Sequence, residues 1–178
     1  MSNETLKNDL EACLSEPFPS SAKEAASRIV NVLDRTIEVC KTNEQSVSSF
    51  LEPVIWDDSR VKDSSYTFIN GQSDITILPG RYRIFLQLTT KYHPETPDSL
   101  SGSKIEIQED SYGEFKPIKS SESYGHHGIA PTDYFTLISM CTFVAASLTK
   151  IRTVTQKLSG TDELKIEPEG SNMLIKRL

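Results

Sequence analysis

Tyr134-Phe135-Thr136-Leu137-Ile138-Ser139-Met140-Cys141-Thr142-Phe143-Val144-Ala145-Ala146-Ser147-Leu148-Thr149 is an uncharged run of 16 residues between Asp133 and Lys150. No other part of the chain stays apolar for so long. Thr132 can cap the first free amides of a helix there, and Asp133 suits its positive end. Lys150 and Arg152 suit the opposite end. The run is too short and too rich in hydroxyls for a membrane span, which needs roughly 18 to 20 predominantly apolar residues. It reads as a buried helix over about 133–148 that the rest of the domain wraps.

Working outward on the C-terminal side, 151–158 either continues the helix or forms a strand, with Thr153 and Val154 leaning towards strand. Leu164-Lys165-Ile166 and Met173-Leu174-Ile175 look like a closing hairpin around Glu169-Gly170-Ser171-Asn172. On the N-terminal side, 110–130 is rich in Ser, Gly and Tyr and lacks periodicity. A loop of that length in a small domain is usually functional or mobile. Before it, Lys104 to Glu109 alternates strictly. The clearest strand is Arg81-Tyr82-Arg83-Ile84-Phe85-Leu86-Gln87-Leu88-Thr89-Thr90, with Tyr82, Ile84, Leu86 and Leu88 on one side and Arg81, Arg83, Phe85, Gln87 and Thr89 on the other. Asn70-Gly71 is a hairpin-type turn signal.

Nearer the start, Ser21-Ala22-Lys23-Glu24 is a capping box. Apolar residues then recur at Ala22, Ala25, Ala26, Ile29, Leu33, Ile37 and Cys40, the stripe of an amphipathic helix. A second short helix is expected after a Thr42 cap, burying Val47, Phe50 and Leu51 and ending before Pro53. Residues 1–19, closed by Pro17 and Pro19, read as a flexible arm. The predicted fold is therefore α+β. An N-terminal helical hairpin (20–52) precedes an antiparallel β-sheet or sandwich packed on a buried helix, and 20–178 form a single domain.

The net charge is −6 and the pI about 5.1. That argues against general or sequence-specific nucleic-acid binding, which needs a basic footprint. Residues 1–60 hold more acids than bases and residues 150–178 fewer, an asymmetry for which ordinary solvated faces are the better reading and head-to-tail attraction between copies the alternative. Three widely spaced cysteines, Cys13, Cys40 and Cys141, and a polar opening decapeptide point to free thiols in a cytoplasmic setting.

His93, His126 and His127 lack the short-spaced partners of a zinc site. Cys141 with a histidine is the one thiol pairing available for nucleophilic catalysis. Its apolar setting makes an inert thiol the better reading. Glu106, Glu109 and Asp110 suit a solvated strand edge as well as acid–base work. No hydrolase elbow, phosphate-binding glycine loop or helical metal motif is present. The expectation is a non-enzyme with no cofactor and no bound metal. Candidate interaction residues are Arg81 and Arg83, a basic pair flanking Tyr82, and Tyr112, Phe115, Tyr124, His126 and His127 in the 110–130 region.

The order of strand Tyr82–Thr90, polar loop, helix Thr132–Leu148 and short closing strands resembles the matrix proteins of rhabdoviruses, particularly the small ones of plant-infecting members. The resemblance rests on element order and size over residues 80–178. It implies a compact α+β structural protein of the virion that self-associates, binds a nucleoprotein and contacts membrane peripherally without a transmembrane span. The leading expectation is thus a non-enzymatic assembly protein acting as a homo-oligomer. The alternative is a monomeric protein- or ligand-binding β-sandwich module, with a pocket or a peptide-binding edge near Pro79-Gly80.

Overall fold

Two-residue alternation governs the molecule. The computed structural model describes residues 35–63, 65–93, 101–110, 113–127, 133–160 and 163–178, and these form antiparallel strands and connecting turns with no helix. In chain order the strands are β1 (Thr36–Cys40), β2 (Gln45–Ser46), β3 (Glu52–Pro53), β4 (Asp58–Lys62), β5 (Tyr66–Thr67), β6 (Ile75–Ile77) and β7 (Gly80–His93). Then follow β8 (Ser101–Asp110), β9 (Lys116–Pro117), β10 (Ser123–His127), β11 (Asp133–Ala145), β12 (Thr149–Lys157), β13 (Glu163–Ile166) and β14 (Asn172–Arg177).

The α+β expectation is corrected to all-β. The stretch read as a helix over 133–148 is β11 and the turn after it. Leu137, Ser139, Cys141 and Ala145 point inward and are buried. Tyr134, Ile138, Met140 and Val144 point outward. Both faces are apolar, so the period of two is hidden in hydropathy, and a continuous apolar run cannot be told from a helix by periodicity alone. The residue types did carry the signal: Tyr134, Thr136, Ile138, Thr142, Phe143 and Val144 all favour pleated backbone.

The helical hairpin is corrected as far as it can be followed. Ile37 and Cys40 lie on β1, and the segment expected as a short helix contributes β2 and β3. The arm at 1–19 and the helix segment at 20–34 lie outside the described residues. The closing segments 164–166 and 173–175 are strands, but they do not form a hairpin. β13 pairs with β7 at Leu164↔Tyr92, and β14 pairs with β7 at Ile175↔Ile84. The Asn70-Gly71 turn is present: Gly71 takes the left-handed backbone at φ 80° that favours glycine, between β5 and β6, which pair at Tyr66↔Ile77.

The strands make two sheets. In the first, β7 is the axis. β11 covers one of its edges from Asp133↔Tyr92 to Ala145↔Gly80, while β14 and β13 share the other, β14 leading on to β1 and β4 and β13 to β2. The second runs β10-β8-β12-β6-β5. Ile37, Tyr82, Ile84, Leu86, Leu88, Leu137 and Ile175 from the first sheet meet Trp56, Ile75, Ile77, Ile105, Ile107 and Ile151 in one core. The Thr153 hydroxyl crosses it to the Met173 sulfur at 3.4 Å. At one side β10 packs against β11 so closely that Gly125 has no room for a side chain, because a Cβ there would strike the Phe135 ring.

Candidate interaction surface

The core consumes one face of each sheet and leaves two outer faces. On the first sheet, β11 presents Val144 (67% exposed), Met140 (64%), Tyr134 (57%) and Ile138 (54%) in one row. Register places Met140 beside Phe85 of β7, and Phe85 beside Leu174 of β14, both half-buried and outward-facing. Ile138 and Met140 with Phe85 and Leu174 thus form an apolar patch across three strands, and the exposed Thr136 and Thr142 separate it from Tyr134 and Val144 on β11. Exposed single apolar residues are ordinary, but a contiguous patch marks a contact surface. At one end, Lys91 stands over Tyr134, with its ammonium 5.5 Å from the ring centroid and 3.6 Å from Glu167. The contact with Tyr134 holds that lysine's pKa above its ordinary value, with Glu167 adding to it. Inward of it, the hydroxyls of Thr89 and Thr136 meet at 3.0 Å.

At the other end are Arg81 and Arg83. Both are exposed, and β7 is flanked on both edges, so they stand on the outer face of a central strand. Lys176 of β14 lies directly opposite Arg83. None of these three cations takes part in an ion pair among the described residues. The backbone near Pro79-Gly80 is closed as a peptide-binding edge, because Arg177 lies against Gly80 and donates from Nη2 to the Pro79 carbonyl at 2.6 Å.

The second sheet's outer face holds the other sequence-derived candidates. Tyr124 is exposed on β10, donates from its hydroxyl to Glu122 Oε2 at 2.9 Å, and has the Lys104 ammonium 5.8 Å from its ring. Phe115 lies under the Arg152 guanidinium at 3.7 Å. Between them runs a polar ladder. Lys104 sits 2.7 Å from Glu106 and 3.1 Å from Glu122; Gln108 donates to Glu106, and Arg152 Nε donates to Gln108 Oε1 at 2.9 Å. Burial pushes the Lys104 pKa down, yet the two carboxylates outweigh it and hold the ammonium well above its usual range. Glu106, expected on a solvated edge, is buried and paired. His126 is exposed on β10 opposite Gly102, and His127 is the last residue of that strand. Tyr112 lies outside the described residues. The seven candidates therefore do not form one site: the arginines lie on the first sheet, and Phe115, Tyr124 and His126 on the second.

Cys141 points into the core, and burial pushes its thiol up to about 11. Cys40, also buried, is raised for the same reason. Among the described residues no group of three or more His, Cys, Asp or Glu side chains is arranged to hold a metal, and no helix is long and apolar enough to cross a membrane.

No protein-family model and no curated protein matches the sequence. Solved structures do match in shape. Murine APRIL superposes with a TM-score of 0.55 at 13% identity over 80% of this chain and 98% of that one. The Eiger TNF of S. frugiperda gives 0.53 at 12% identity over 80% and 91%. Both are TNF-like jelly-roll sandwiches, and at this identity the likeness establishes the fold alone. The resemblance to rhabdovirus matrix proteins is thereby overturned, with the α+β and virion expectations that came with it: the stretch that carried it, the supposed helix, is a jelly-roll strand.

Proposed function

We propose that this chain is a non-catalytic β-sandwich module that works through protein–protein contact, and that the first partner of its exposed sheet is a second copy of itself. The carrying observation is the outer face of β11, where Val144, Met140, Ile138 and Tyr134 lie in one row beside Phe85 and Leu174. Covering the exposed halves of four such side chains contributes on the order of 1 kcal/mol each. Counted on both copies, that gain is of the same order as the freedom lost on association, so shape complementarity sets the midpoint. A sheet face suits self-contact because the same surface can serve both partners across a two-fold axis, or meet a neighbour's edge in a closed ring.

Sedimentation velocity over a hundredfold range of protein concentration tests this. The expected result is a larger species that grows in with concentration, and its loss in Ile138→Asp while the circular dichroism of the sheet is unchanged. A fixed monomer throughout overturns self-association and leaves the face to a different protein partner.

A further inference from the structure

Resting on that self-association reading, a second feature of the same face bears on how it is controlled. Val144, Thr142 and Met140 of β11 lie opposite Arg81, Arg83 and Phe85 of β7. Lys176 of β14 lies opposite Arg83, and Thr36 of β1 lies opposite Lys176. The row Thr142–Arg83–Lys176–Thr36 thus crosses four strands on the outer face, with two adjacent cations, a hydroxyl at each end and no carboxylate. Like charges directly opposite one another on a sheet repel. In the isolated chain water screens them, since Arg83 and Lys176 are exposed.

Assembly removes that screening. Met140 and Val144 bracket the row on β11, so a partner surface that covers both apolar side chains also covers Thr142 and Arg83 between them. A cation taken out of water without a counter-charge is strongly unfavourable. The acid closest in register, Glu38 on β1, is engaged elsewhere: its Oε1 accepts from Asn172 Nδ2 at 3.0 Å and lies 3.9 Å from Arg60.

We propose that Arg81, Arg83 and Lys176, with the hydroxyl of Thr142 beside Arg83, form a site for a tetrahedral oxyanion of the sulfate or phosphate class, and that filling it allows the face to close on a second copy. Guanidinium groups match such an anion with paired N–H donors, the ammonium adds charge, and the Thr142 hydroxyl is within one strand spacing of Arg83. The anion binds the closed form more tightly than the open one, so it strengthens assembly by linkage.

The test is sedimentation velocity of the full chain with inorganic sulfate exchanged for chloride at constant ionic strength, on wild type and Arg83→Gln. With about 20 mM sulfate the wild-type association midpoint should fall fivefold or more. Arg83→Gln should assemble more readily in chloride and show no sulfate response. An unmoved wild-type midpoint overturns the site and points to a carboxylate from the second copy as the counter-charge. Equal sulfate responses in the two proteins also overturn it, because they report only the general strengthening of apolar burial by sulfate. Monomer under every condition would instead sink the self-association reading itself. Replacing inorganic sulfate by dextran sulfate at equal sulfate content identifies the source: an equal shift means a free ion, a much larger one a polymeric sulfate.

Discussion

The two outer faces of the sandwich are built from the same kind of strand and finished in opposite ways. On the outer face of the second sheet, Tyr124 has Glu122 and Lys104 as polar partners, and Phe115 has Arg152. Its buried carboxylate, Glu106, has Lys104 and Gln108. On the first sheet, Val144, Met140 and Ile138 face outward in one row, and Arg81, Arg83 and Lys176 form no ion pair among the described residues. Exposure of an aromatic therefore says little by itself. What separates the two faces is less their rings, since Tyr134 has Lys91 over it, than whether the cations at the Arg81–Arg83 end have partners within the chain.

The largest effect should separate the two sides of β11. Leu137→Ala, in the core, should cost about 3 kcal/mol or more in denaturant unfolding. Met140→Ala, on the outer face, should leave monomer stability within about 0.5 kcal/mol while weakening assembly. Equal losses of stability in the two variants would mean that the strand does not have one buried and one free face.

A smaller effect belongs to the second sheet. Glu106→Ala removes the closer of the two carboxylates on Lys104 and leaves the buried Gln108 amide without its acceptor, and should destabilise by about 2 kcal/mol, discounted because Lys104 keeps Glu122 and is partly exposed. Association midpoints should be unchanged. If assembly fails in that variant with the fold intact, the contrast between the faces is wrong.

The smallest is a pH effect. Lys104 first, then the Tyr124 hydroxyl, hold the Glu122 carboxyl below its ordinary value of 4.5. A lowered folded-state value means stability that is present above about pH 4.5 and fades as pH falls through the folded value. The melting temperature of Glu122→Gln should therefore match wild type more closely at pH 3 than at pH 6. A gap that stays constant across that range would show that the ladder does not hold this carboxylate.

β7 was legible in the sequence because one of its faces is mostly polar: Arg81, Arg83, Gln87 and Thr89, with Phe85 the exception, alternate with Tyr82, Ile84, Leu86 and Leu88. β12 was legible in part, through Thr153 and Val154. β11 was not, since Ile138, Met140 and Val144 are as apolar as the residues that alternate with them. The same masking hid the contact surface, as Tyr134, Ile138, Met140 and Val144 were all assigned to a helix core. Arg81 and Arg83 were found as a pair because they sit two apart. Lys176 was out of reach, since it joins them only through strand pairing across a separation that no local pattern reports.

By itself, the sequence determined where the chain alternates, where it turns at Asn70-Gly71, and that Cys141 belongs in an apolar setting. These are local matters, set by side-chain period, backbone freedom and hydropathy. Tertiary structure alone decided that β13 and β14 both join β7 rather than each other, that Glu106 is buried, and that one apolar strand spends half its side chains on the core and half on a partner. A strand's second face acquires a meaning only when its sheet is assembled and something either covers it or does not.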